Sequence, residues 1–138
     1  MLEQHYLTSL FEPKSVAVIG ASERENSVGS IIFKNILDAG YKGRLYAINP
    51  KHETIHGVQA HASIEEIGAR VELAVICTRP QTVPAIVEQC GRSGIKNVIV
   101  ITAGFAEAGH SGAALERKML EIARSYNVRV LGPNCLGV

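Results

Sequence analysis

The sequence contains no tryptophan, and aromatic residues make up only 5% of its 138 positions. Neither sign of charge is in excess: 14 lysines and arginines face 13 aspartates and glutamates, a formal net charge of +1. A domain that binds duplex nucleic acid by displacing counterions carries a strong basic excess, so that class is excluded as a first reading. No apolar run approaches the ~20 residues of a membrane span. The start, Met1-Leu2-Glu3-Gln4-His5, has neither the basic opening nor the apolar stretch of a secretory signal. Cysteine is scarce: Cys77, Cys90 and Cys135 are odd in number and far apart, which argues against a disulfide framework and against a CxxC metal or redox site. A reduced, cytoplasmic protein is expected, with no membrane and no nucleic-acid partner and no metal site.

What is present is an ordinary globular composition, 46% hydrophobic and 20% charged, with a length that fits a single domain over residues 1–138. Val16-Ala17-Val18-Ile19 is an unbroken apolar run ending at Gly20, the habit of a strand buried on both faces of a parallel sheet. Val28, Ile32, Asn35, Ile36 and Ala39 then recur at helical spacing, with Gly40 as the stop. Leu45–Ile48 is a second strand, closed by Asn49-Pro50, and Gly57–Ala60 a weak third. Ser63 and Glu66 have the spacing of a capping box on a short helix.

The alternation continues. Leu73–Cys77, Val98–Ile101 and Val128–Leu131 read as strands. Between them lie a helix after Pro80, with Val83, Ile86, Val87 and Cys90 on one face, and another with Leu115, Met119, Ile122 and Tyr126 inward. Strands alternating with helices, joined by right-handed crossovers, predict an α/β, Rossmann-like, doubly wound parallel sheet.

In such sheets ligands bind outside the carboxyl ends of the strands, near the point where strand order reverses. The residues at those ends are therefore the candidates. After the first strand comes Gly20-Ala21-Ser22, then Ser27-Val28-Gly29 at the helix start. Gly20 allows the turn, Ser22 and Ser27 offer hydroxyls, and Gly29 permits close backbone approach at a helix N-terminus, a prepared anion site. The loop is not GxGxxG, and an ordinary strand-to-helix connection is the competing explanation. Asn49-Pro50-Lys51 follows the second strand. An NAD-binding domain places an acid there for the ribose hydroxyl; an ammonium suits a ribose phosphate instead, as in NADP or coenzyme A. Thr78 and the trio Thr102-Ala103-Gly104 supply hydroxyls and backbone donors at the same edge.

Leu10-Phe11-x-Pro13-x-Ser15-Val16-Ala17-Val18-Ile19-Gly20-Ala21-Ser22, Asn49-Pro50-Lys51, Ile101–Phe105 and Leu131–Gly137 together resemble the N-terminal CoA-binding domain of the nucleoside-diphosphate-forming acyl-CoA synthetases. That group includes ADP-forming acetyl-CoA synthetase, the α subunit of succinyl-CoA synthetase, and fusions with a GNAT acetyltransferase. The resemblance covers essentially the whole chain. It implies that coenzyme A, or acyl-CoA, is the ligand. Ser22, Val28 and Gly29 would then hold its phosphates, Lys51 the adenosine phosphate region, and Thr102, Ala103 and Gly104 the coenzyme further along, with Thr78 between.

The resemblance also implies a partner: downstream synthetase domains or a subunit, which would hold ATP, ADP and magnesium and the phosphorylated histidine. The chain would be the first part of a longer protein, with no catalytic residue and no turnover of its own. Cys77-Thr78-Arg79 departs from the apolar-proline segment usual in the synthetases and looks closer to the acetyltransferase fusions. His5, His52, His56, His61 and His110 match no part of the histidine motif and read as surface or loop residues. Cys135 reads as a small buried hydrophobe. Two other classes stay open: an NADP-dependent oxidoreductase domain, and a CoA- or adenylate-sensing regulatory domain.

Overall fold

A computed structural model describes residues 13–101 and 109–132. The elements, in chain order, are β1 (Ser15–Ile19), α1 (Val28–Asp38), β2 (Arg44–Ile48), β3 (Thr54–Ile55), β4 (Val58–His61), β5 (Leu73–Ile76), α2 (Val83–Arg92), β6 (Asn97–Val100), α3 (His110–Ser125) and β7 (Arg129–Leu131). Short 3-10 turns occupy Ile64–Glu66 and Pro80–Thr82.

The strands form one seven-stranded sheet in the order β3-β4-β2-β1-β5-β6-β7. Every pairing is parallel except the β3–β4 hairpin at the edge. From β1 the chain first steps outward to β2 and β4, then returns to the other side of β1 as β5. The order reverses between β1 and β5, which pair in register from Val16↔Leu73 to Ile19↔Ile76. This is the expected doubly wound arrangement.

Alternation along the strands divides the core. Ala17, Ile19, Ala74, Ile76, Val98 and Val100 pack with Val83, Val87 and Cys90 of α2 and Met119 and Ala123 of α3. Val16, Val18, Leu73 and Val75 face the other way, toward Phe33 of α1. All of β1 is buried, as a continuous apolar run between two helical layers should be.

Each helix has a local reason for its limits. The Ser27 hydroxyl caps α1 by accepting from the Ser30 N–H at 3.1 Å. At the other end the N–H of Gly40 donates to Leu37 and that of Tyr41 to Ile36, with Gly40 at φ +74°. That is a Schellman stop, as Gly40 predicts.

Three expectations are corrected. Val28, Asn35 and Ala39 do not lie on the inner face of α1; Val28 is 51% exposed, and the buried positions are Gly29, Ser30 and Phe33. The helix is rotated because Gly29 seats its first turn against Gly20, which swings Phe33 inward and Val28 out. The capping box does not form either. The Ser63 side chain makes no cap bond, and Glu66 Oε2 accepts from the Ala62 N–H at 3.2 Å. A single 3-10 turn leaves too few free amides for the reciprocal pair. Finally, the weak third strand runs from Val58 to His61, parallel to β2, and Thr54–Ile55 adds an unanticipated antiparallel strand.

Candidate functional site

The carboxyl ends of β1, β2 and β5 converge on one cleft of ≈ 400 Å³. Gly20, Asn49, Pro50, Lys51 and Thr78 line it, as their positions in the sequence predict. Its far side is formed by Ala62, Ser63, Ile64, Thr82, Ile86 and Gln89, which sequence reasoning does not single out. Among the described residues, no carboxylate lines the cleft. A larger space of ≈ 910 Å³ opens near Pro13, Lys14, Gly43 and Arg44, at the amino ends of β1 and β2. That is the wrong edge of a parallel sheet for a ligand held by strand-to-helix loops.

Backbone bonds tie the strand ends together. The Gly20 N–H donates to the Ile48 carbonyl at 3.0 Å, and the Cys77 N–H to the Ile19 carbonyl at 2.8 Å. Gly20, at φ +91°, turns the chain away; a Cβ there would meet the Cys77 carbonyl at 3.1 Å. Only glycine combines that left-handed backbone with that contact.

Gly29 shows an even closer approach. A Cβ on it would overlap the Gly20 carbonyl oxygen. The missing side chain therefore lets the start of α1 press on the strand end, the packing role of a glycine in a nucleotide-binding loop. Ala21 is buried beside it, whereas Ser22, Ser27 and Val28 lie on the outer part of the loop. These do not line the cleft itself. Ser22 Oγ accepts from the Arg24 N–H at 2.9 Å, and Ser27 Oγ serves as the α1 cap. Each hydroxyl keeps a proton to donate, since an accepting oxygen does not use its own O–H. The first turn of α1 holds no acidic residue, so nothing on the helix offsets the positive end of its dipole.

Asn49 is a brace. Its Nδ2 donates to the Ala21 carbonyl at 2.9 Å, and its Oδ1 accepts from the Lys51 N–H at 2.8 Å. One side chain thus joins the first loop to the lysine, whose own side chain is exposed. On the β5 side, Thr82 Oγ1 lies 2.7 Å from Thr78 Oγ1 and 2.6 Å from the Arg79 carbonyl, fixing the turn into α2. Thr102, Ala103 and Gly104 fall outside the described residues, as does Cys135.

Burial pushes the thiols of Cys77 and Cys90 up to about 12, so both remain protonated at neutral pH. Among the described residues, no group of three or more His, Cys, Asp or Glu could hold a metal ion. None of their helices is long and apolar enough to cross a membrane.

Residues 14–138 match the profile of the CoA-binding domain family. The chain belongs to that family. It is 46% identical over 126 residues to an ADP-forming acetate–CoA ligase of Methanocaldococcus jannaschii, covering 91% of this chain and 17% of that enzyme. A Pyrococcus furiosus ADP-forming acetate–CoA ligase I subunit alpha is 42% identical over 136 residues, covering 96% of this chain and 29% of the subunit. Among solved structures, an apo acetyl-coenzyme A synthetase 1 of Candidatus Korarchaeum cryptofilum superposes with a TM-score of 0.89 at 38% identity, covering 95% of this chain and 28% of that one. The chain thus spans less than a third of the length of each of these relatives. A dehydrogenase from Chromobacterium violaceum, at 12% identity and a TM-score of 0.59, shares the fold alone.

Proposed function

We propose that this CoA-binding domain holds coenzyme A at the β1/β5 switch point and presents its thiol for acyl transfer in an ADP-forming acid–CoA ligase. The observation that carries this reading is the cleft itself. It lies where strand order reverses, no carboxylate of the described residues lines it, and Lys51 stands at its rim. That donor set fits a ligand that is anionic at its phosphate end and long and neutral beyond it.

In this reading the start of α1 and the Ser22 and Ser27 hydroxyls receive the pyrophosphate, through charge-assisted hydrogen bonds strengthened by the helix dipole. Lys51 receives the ribose phosphate. The absence of an acid beside Asn49 removes the contact that would select a free ribose hydroxyl, which disfavours NAD. The pantetheine arm then runs along the strand ends past Thr78. Its sulfur would attack the carbonyl of an acyl phosphate: the C–S bond forms, the C–O bond to phosphate breaks, and inorganic phosphate leaves with the thiol proton. Downstream domains or a partner subunit would supply that acyl phosphate, as well as the sites for ATP, ADP and magnesium. In this reading the part of this chain is binding and orientation.

Calorimetric titration with coenzyme A, dephospho-coenzyme A, NADP and NAD tests this. Saturable binding of coenzyme A, weaker for the dephospho form and weakest for NAD, is expected. Binding of NADP in preference to coenzyme A would overturn the reading.

A further inference from the structure

His56 matches no catalytic motif, yet it holds a dense set of contacts to the loop between β1 and α1. With Gly57 it forms the two-residue connection of the β3–β4 hairpin, bounded by the Ile55↔Val58 pair. Both residues are left-handed, His56 at φ +47° and Gly57 at φ +80°. Such a turn is ordinarily filled by Asn-Gly or Asp-Gly, and a bulkier first residue persists only where its surroundings hold it.

Here three contacts hold it. The His56 N–H donates to Glu23 Oε1 at 2.6 Å. The ring Nε2 lies 3.0 Å from Ser30 Oγ. The ring stacks on Phe33 with centroids 6.4 Å apart and planes inclined by 18°. These partners are not scattered. Glu23 belongs to the loop, while buried Ser30 and Phe33 belong to the first turns of α1. The Ser30 N–H is itself held by the Ser27 cap. Local turn preference alone would place Asn at this position, but its shorter side chain would not reach Ser30. The residue suits the loop better than it suits its own turn.

We propose that His56 is a positioning residue, fastening the β1–α1 loop from the hairpin side at Glu23 and Ser30 so that its donors are preset for the pyrophosphate of coenzyme A. The inference rests on the coenzyme A reading above. The main-chain N–H of His56, which any residue but proline would supply there, engages the Glu23 carboxylate at the hairpin.

The test uses the whole 138-residue chain and two readouts: calorimetric titration with coenzyme A, and amide hydrogen exchange at Ser27 and Ser30 without ligand. His56→Asn keeps, or improves, the left-handed turn but loses the reach to Ser30. The gain at the turn should offset only part of the stability lost with the Ser30 bond, so the unfolding midpoint should fall slightly. Exchange at both amides should speed, and coenzyme A binding should weaken about tenfold. His56→Gln, whose amide spans nearly the same distance, should recover most of both. Ser30→Ala cuts the same bond with the turn untouched and should reproduce the loss even if His56→Asn folds poorly. Unchanged affinity and exchange in His56→Asn and Ser30→Ala would overturn the proposal. If the unaltered chain fails to bind coenzyme A, the ligand reading falls, and with it the pyrophosphate role; faster exchange in the variants would then uphold only the fastening, and unchanged exchange would sink that too.

Discussion

The Asn49 amide donates to the Ala21 carbonyl at 2.9 Å while its oxygen accepts from the Lys51 N–H at 2.8 Å. One side chain thereby sets the spacing between the β1–α1 loop and the cation that follows β2. Asp at this position would still accept from Lys51 but would set a carboxylate oxygen against the Ala21 carbonyl. It would also bring a negative charge into a cleft that no carboxylate of the described residues lines. Asn49→Asp should therefore weaken coenzyme A binding more than Asn49→Ala does, although Asp is the closer isostere. Calorimetry on both variants decides this. Equal losses would mean that the brace acts only by its shape.

Gly29 tests how tightly α1 must sit on the strand end. A methyl group there would overlap the Gly20 carbonyl, a backbone atom that has no rotamer to yield with. Gly29→Ala should destabilise the chain by about 1–3 kcal/mol in urea unfolding, the range for overpacking a close contact. Because the strain displaces the helix start, coenzyme A affinity should fall as well, even at temperatures where the variant is folded. A variant of unaltered stability and affinity would show that the helix start can slide freely.

The buried thiols give the stability a direction in pH. Cys77 and Cys90 stand at about 12 in the fold against 9.0 for an unburied cysteine. Between those values the unfolded chain has lost protons that the folded chain still holds, so stability falls as pH rises. The contribution is complete below 9.0 and is lost progressively up to about 12. Tyr41, raised by burial and by Glu72, adds in the same direction. Urea titrations at pH 8 and pH 10 should show a lower midpoint at the higher pH, and Cys90→Ala should flatten the dependence. At pH 8 an alkylating reagent should leave Cys77 and Cys90 unmodified in the folded chain, as peptide mass analysis would show.

The inner parallel strands β1, β5 and β6 were legible because each is a short, largely apolar run that is buried along nearly its whole length. The β3–β4 hairpin was not. Thr54–Ile55 is too short to show a period, and His56-Gly57 is an unusual filling for its turn. The inner face of α1 was misjudged because hydrophobic spacing favours Val28, whereas the close contact at Gly29, invisible to any hydrophobicity count, sets the rotation. Of the cleft, the wall made by strand ends followed from topology. The wall made by Ile86 and Gln89 did not, since helical periodicity assigns Ile86 to the core and says nothing of where the edge of that core opens.

Lys51 gives the sharpest test of which phosphate it serves. Its side chain is exposed at the rim of the cleft, so its attraction for an anion is partly screened by solvent and salt. The effect of its removal should accordingly be modest, about three- to tenfold weaker coenzyme A binding at low ionic strength. The ligand comparison is more decisive than the size. If Lys51 meets the ribose phosphate, Lys51→Ala should leave dephospho-coenzyme A binding unchanged and abolish the preference for coenzyme A over it. If it meets the pyrophosphate, both ligands should weaken by the same factor, and the preference should persist. Raising the salt concentration should shrink the loss in the first case and leave the ratio of the two ligands for Lys51→Ala near unity. Measuring both ligands against both chains at two salt concentrations separates these outcomes without reference to any downstream domain.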